Sequence, residues 1–84
     1  MKKVAIYTTH SCPYCRMAKS LLKRRNIPFE EIDVSDDEQF ETLVDRTGFK
    51  TVPQIFFDYE LIGGYEELSK LDEAGKLKKK LGEV

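Results

Sequence analysis

Two cysteines separated by two residues, Cys12-Pro13-Tyr14-Cys15, stand where an apolar run meets an amphipathic one. The run Val4-Ala5-Ile6-Tyr7 reads as a strand. The segment that follows puts Met17, Ala18, Leu21 and Leu22 on one helical side and Arg16, Lys19, Lys23 and Arg24 on the other. If Cys12 caps that helix, its sulfur faces unpaired N–H groups and the positive end of the helix dipole. As N-cap it can accept from the N–H groups of Tyr14 and Cys15, whereas Pro13 has none to give. Such surroundings favour thiolate, lowering a cysteine pKa from roughly 8.5 to about 3.5–7.5. Cys15, one turn on, lies within disulfide reach.

The remaining composition limits what such a pair can serve. Eighty-four residues, 40% hydrophobic and 35% charged, suit one soluble domain over 1–84 with a modest core. Fourteen basic and fifteen acidic side chains leave a net charge of −1. No global basic field attracts nucleic acid, and no polybasic tract attracts an anionic membrane. The first apolar run is too short for a signal peptide or a membrane span, so a reducing cytoplasm is the expected compartment. There a Cys-x-x-Cys is redox-active or metal-binding sooner than structural.

Taken in order, Val4 to Tyr7 is continuously apolar, as in a central strand covered on both faces. Thr8 to Ser11 form a polar loop, and a helix runs from about Pro13 to Arg25, stopped by Pro28. Phe29 to Val34 is a second strand, parallel to the first because a helix connects them. Ser35-Asp36-Asp37-Glu38 has capping-box spacing and opens a second helix, with Phe40, Leu43, Val44 and Thr47 inward and Gly48 as its stop. Gln54–Phe57 and Glu60–Ile62 form a hairpin around Asp58-Tyr59, whose turn type stays open. Tyr65 to Ala74 is a helix with Leu68 and Leu71 inward, and Lys76 to Leu81 is a last short one. The order β-α-β-α-β-β-α-α predicts an α/β fold, a four-stranded mixed sheet with helices on both faces.

Three segments carry the chemistry. Cys12, nearer the helix start, suits the attacking thiolate, and Cys15 the resolving thiol. The alternative is half a zinc site or an inert pair, but the remaining ligand candidate, His10, is poorly spaced for tetrahedral zinc. His10 itself reads as a loop residue, since the dipole already activates Cys12. Thr51-Val52-Pro53 opens the third strand. It is either a plain strand-start proline or a cis proline that turns the Val52 backbone toward the cysteines, free to pair with an extended substrate. Gly63-Gly64-Tyr65-Glu66-Glu67 is a turn into a helix. Its glycines admit a ligand close to the backbone, the helix start suits a carboxylate, and Glu66 and Glu67 suit an ammonium group.

With Cys12-Pro13-Tyr14-Cys15, Thr51-Val52-Pro53-Gln54-Ile55-Phe56 and Ile62-Gly63-Gly64-Tyr65-Glu66-Glu67-Leu68 in place, the chain resembles the dithiol glutaredoxins over nearly its whole length. The resemblance implies a thioredoxin-like fold and a glutathione-dependent thiol–disulfide oxidoreductase with no tightly bound cofactor and glutathione as co-substrate. Cys12 would form the mixed disulfide and Tyr14 would flank it. Thr51, Val52 and Pro53 would line the site, Val52 pairing with the cysteinyl backbone, while Gly64, Tyr65 and Glu66 hold the γ-glutamyl end. Many members place a lysine three residues before the first cysteine for the glycyl carboxylate. Here that position is Thr9, and Arg46 or Lys50 is the candidate replacement. Glu66-Glu67 stands where the family often has two aspartates.

The expected partners are glutathione and disulfide-bearing or glutathionylated proteins, a ribonucleotide reductase among them, met by a monomer. Two rival readings are a thioredoxin-like hydrogen donor reduced by a flavoprotein reductase, and a dimer sharing an iron–sulfur cluster or zinc. Cluster-binding relatives commonly carry glycine or serine at the position of Pro13.

Overall fold

The strand marked as central by its apolar run has a neighbour on each side. A computed structural model describes residues 1–82, in which β1 (Val4–Thr8) lies inside a four-stranded sheet of order β2-β1-β3-β4. β2 (Glu30–Asp33) runs parallel to it, pairing Ala5 with Glu30 and Tyr7 with Ile32. The connection, α1 (Pro13–Arg24), is therefore the crossover of a βαβ unit. β3 (Gln54–Phe57) is antiparallel on the other side, pairing Val4 with Phe57 and Ile6 with Ile55, and turns into β4 (Glu60–Gly63). Asp58 makes that turn with a φ of 54°, a conformation aspartate tolerates. Its carboxylate accepts from the Lys3 N–H at 2.9 Å, fastening the hairpin tip to the start of β1.

The pleat sorts the side chains into two layers. Val4, Ile6, Ile55 and Phe57 face α1 and α3 (Tyr65–Glu73), where Ala18, Leu21, Leu22 and Leu68 close the main core. α4 (Leu77–Lys80) adds Leu77, and Leu81 follows it; the Leu81 carbonyl accepts from Lys2 N at 2.7 Å, joining the two chain ends. Each such fully buried aliphatic side chain contributes about 1.5–3 kcal/mol. Arg25, at the end of α1, donates to both carboxylate oxygens of Asp72 on α3 at 2.7 and 3.1 Å, bracing the two core helices.

The second face of the sheet is covered less tightly. There α2 (Asp37–Thr47) leaves an open groove of about 880 Å³ over Tyr7 and Phe56, whose rings meet edge to face at 5.6 Å.

Several local expectations are corrected. β1 extends to Thr8, which is buried with its hydroxyl satisfied by donation to Glu31 on β2 at 2.8 Å. β2 is shorter than Phe29–Val34, α1 ends at Arg24 with Arg25 as its cap, α3 ends at Glu73 and β4 includes Gly63. α2 is capped by Asp36, whose carboxylate accepts from Gln39 N at 3.2 Å. Ser35 is occupied elsewhere, accepting from the His10 N–H at 2.9 Å. Met17 is exposed, and of the α2 stripe only Leu43 is fully buried, with Phe40, Val44 and Thr47 half covered. Leu71 is likewise half-buried against the core.

Candidate active site

Cys12 caps α1. Its backbone is extended (φ −117°, ψ 101°) and its sulfur accepts from the Cys15 N–H at 3.1 Å. Of the two donors expected there, Cys15 supplies this bond and Tyr14 supplies none. The bond and the helix dipole both favour negative charge on the sulfur. Cys12 is 9% exposed and Cys15 1%, and both are free thiols, so the outer sulfur is the one a partner can reach.

Burial pushes the Cys15 thiol up to about 12, with a hydrogen bond to Cys12 acting in the same direction. A backbone hydrogen bond from Thr9 and the charge of Lys19 oppose the rise. Lys19 is held 2.9 Å from Glu31. Hydrogen bonds from Lys19 and then Thr8 keep that carboxyl below its ordinary range. The two cysteines thus differ in kind: Cys12 is the outer sulfur, seated at the helix mouth on the Cys15 N–H, and Cys15 is kept protonated beneath it.

The Val52-Pro53 peptide is cis, and the Val52 carbonyl accepts from the Cys12 thiol at 3.6 Å. On the far side of Pro53, Gly64 sits so close that an added Cβ would lie 3.4 Å from the Pro53 carbonyl oxygen. Gly64 N donates to the Glu67 carboxylate at 2.7 Å, so Glu67 is turned back on its own helix start while Glu66 remains exposed. The rings of Tyr14 and Tyr65, on the first turns of α1 and α3, lie 6.2 Å apart and tilted by 33°.

Of the residues expected at the site, Cys12, Cys15 and Val52 are joined by direct hydrogen bonds. Pro53 with Gly64, and Tyr14 with Tyr65, complete the surround. Lys50 and Thr51 are exposed in the loop leading to Val52. Arg46 lines the second-face groove beneath α2. His10 is an exposed loop residue 2.6 Å from Asp33, whose carboxyl is held low first by hydrogen bonds from Ser35. Among the described residues no three His, Cys, Asp or Glu side chains gather as metal ligands would.

The motifs assign no role to Gln54 or to Phe49. Gln54 is fully buried and its Nε2 donates to the Phe49 carbonyl at 2.6 Å, and Phe49 N donates to the Thr47 hydroxyl at 3.1 Å. A glutamine opening an apolar strand was the available signal.

The glutaredoxin family model matches residues 4–62. The chain is 46% identical over 81 residues to Glutaredoxin 1 of Rickettsia typhi, covering 93% of this chain and 78% of that protein. It is 42% identical over 78 residues to Glutaredoxin 3 of Escherichia coli K12, covering 92% and 94%. The solution structure of a glutaredoxin from Brucella melitensis superposes with a TM-score of 0.84 at 41% identity, over 100% of this chain and 95% of that one. A buckwheat glutaredoxin–glutathione complex shares the fold with a TM-score of 0.85 at 24% identity, over 96% and 77%. A mixed four-stranded sheet with a thiol pair at the mouth of its first helix is the thioredoxin-like arrangement, and this chain belongs to the glutaredoxin family of thiol–disulfide oxidoreductases.

Proposed function

We propose that the protein is a glutathione-dependent oxidoreductase that reduces protein disulfides and glutathione mixed disulfides. The observation that carries this reading is the Cys12 sulfur, which lies between the Cys15 N–H and the Val52 carbonyl. As a thiolate, Cys12 no longer donates to Val52, and the carbonyl is then free to accept the N–H of a substrate cysteine. The same deprotonation that arms the nucleophile opens the backbone acceptor beside it.

Cys12 attacks a substrate disulfide, forming a mixed disulfide and expelling the other sulfur as a thiolate. Cys15, passing its proton to the substrate thiolate just expelled, attacks the Cys12 sulfur and releases the second substrate sulfur as a thiolate, leaving a Cys12–Cys15 disulfide. One glutathione thiolate reopens that bond through a Cys12–glutathione intermediate. A second attacks its glutathione sulfur, giving glutathione disulfide and the dithiol protein. With a glutathionylated protein, Cys12 takes the glutathione directly and Cys15 is not needed. Glutaredoxin potentials of about −200 to −230 mV lie close enough to the glutathione couple for the exchange to run both ways.

In the glutathione complex, Val52 pairs with the cysteinyl backbone, Thr51 and Pro53 line the groove, and Tyr14 flanks the sulfur. Gly64, Tyr65 and Glu66 hold the γ-glutamyl end. Lys50 takes the glycyl carboxylate, being exposed two residues before Val52, and Arg46 is left to its own groove. The protein works on this reading as a cytoplasmic monomer on disulfide-bearing or glutathionylated proteins, with no tightly bound cofactor. The deciding experiment is a coupled assay in which either glutathione with glutathione reductase or thioredoxin reductase supplies electrons. Turnover is expected with the first source; turnover with the second alone overturns the proposal.

A further inference from the structure

Gln54 is wholly buried, and only one end of its amide is paired. Nε2 donates to the Phe49 carbonyl at 2.6 Å, while Oε1 has no partner among the described residues. The orientation is not arbitrary, because reversing the amide would set two oxygens against each other at that distance. A buried unpaired acceptor costs stability, and an apolar side chain of similar volume would avoid it. With Oε1 unpaired, whatever the amide contributes beyond its volume comes through its donor end.

What that donor holds is the segment leading to the candidate active site. Phe49 is fastened at both backbone groups, its N–H to the Thr47 hydroxyl at 3.1 Å and its carbonyl to Gln54. Thr47 in turn donates to the Leu43 carbonyl at 3.0 Å and so belongs to the end of α2. The Phe49 ring reaches toward the Gly64 backbone, 3.8 Å from where a Cβ would stand. Three residues after Phe49 comes Val52, whose carbonyl meets Cys12.

We propose that Gln54 is a positioning residue that, with Thr47, clamps Phe49 and thereby sets the spacing between the Val52 and Gly64 walls of the substrate groove. This rests on the glutathione reading for its kinetic consequence, though not for the clamp itself. The residue touches neither sulfur. Its effect passes through the backbone of residues 49–53, so it governs how well a substrate is seated.

The test compares Gln54→Met, which keeps the volume without the donor, with Gln54→Glu, which donates only when protonated. With the mixed disulfide of glutathione and 2-mercaptoethanol as substrate, Gln54→Met should raise KM about two- to tenfold, the range one net hydrogen bond spans, with kcat little changed. Gln54→Glu should match the wild type at the acid end of a pH 5–8.5 series, its KM relative to wild type climbing as the carboxyl ionises. The ionisable neighbours to allow for are Tyr7, its cross-strand partner on β1, and Arg46 and Lys50 in and beside the clamped segment. Amide hydrogen exchange at Lys50–Val52 should accelerate in Gln54→Met while β1 amides hold. Thr47→Val, which removes the other half of the clamp, should repeat both effects should Gln54→Met not fold. An unchanged KM for Gln54→Met, a pH-independent ratio for Gln54→Glu, or unaltered loop exchange overturns the proposal. A wild type without glutathione-linked turnover would defeat the functional reading instead, and the exchange measurement would still decide the clamp.

Discussion

The Cys12 thiol donates to the Val52 carbonyl 3.6 Å away, across 40 residues of chain. This contact joins the mouth of α1 to the loop before β3, and it exists only while the sulfur keeps its proton. Losing the proton leaves the sulfur on the Cys15 N–H and the carbonyl without a donor. A substrate that offers a disulfide beside a backbone N–H satisfies both at once.

The thiols should therefore separate cleanly by substitution. Cys12→Ser should abolish all turnover, because Cys15 is buried and its thiol is pushed up to about 12. Cys15→Ser should lose reduction of protein disulfides yet keep removal of glutathione from a glutathionylated protein. Rates on the two substrate types, measured for each variant, check this, and any turnover by Cys12→Ser contradicts the assignment.

A stability effect at high pH follows from Cys15. Its folded thiol binds a proton more tightly than the unfolded chain, about 12 against 9.0, chiefly because burial disfavours the thiolate. The stabilisation linked to that proton is fully present below about pH 9 and is lost as pH rises toward 12. Urea denaturation of the reduced protein should show stability falling across that window, and Cys15→Ala should flatten the fall.

Glu66 and Glu67 should give opposite signatures despite being adjacent. Glu67 accepts from Gly64 N at 2.7 Å, so Glu67→Ala should destabilise by about 0.5–2 kcal/mol, the usual cost of a lost helix cap. Glu66 is exposed, and Glu66→Ala should leave the urea midpoint in place while raising KM for glutathione. Equal urea midpoints for the two variants would contradict the division.

The glycine pair divides in the same way. Gly63 has a φ of 128°, and a Cβ there would fall 2.6 Å from the Glu67 carboxylate. Gly63→Ala should destabilise by about 1–3 kcal/mol, read as a lower denaturation midpoint. Gly64 is extended and a Cβ would be 3.4 Å from the Pro53 carbonyl, so Gly64→Ala should chiefly weaken glutathione binding, measured as KM.

Much of this architecture is local in origin and could be read directly from the chain. The apolar run at β1, the proline after Cys12, the basic end of α1 and Gly48 closing α2 at a φ of 73° each act within three or four residues. Their consequences — a central strand, a sulfur at a helix mouth and a βαβ crossover with its two strands parallel — follow from periodicity and capping alone. Choices between neighbours were less legible: Ser35 and Asp36 are equally good caps in a sequence, and the pairing of Ser35 with His10 decided it. Tertiary structure chose, of the two readings of Pro53, the cis peptide that brings Val52 to Cys12, and it alone determined that Gln54 grips Phe49, that Met17 faces outward and that Arg46 lines the second-face groove. Those relationships depend on sheet register and on which face each helix covers, and such distances are set only once chain segments far apart in sequence have packed together.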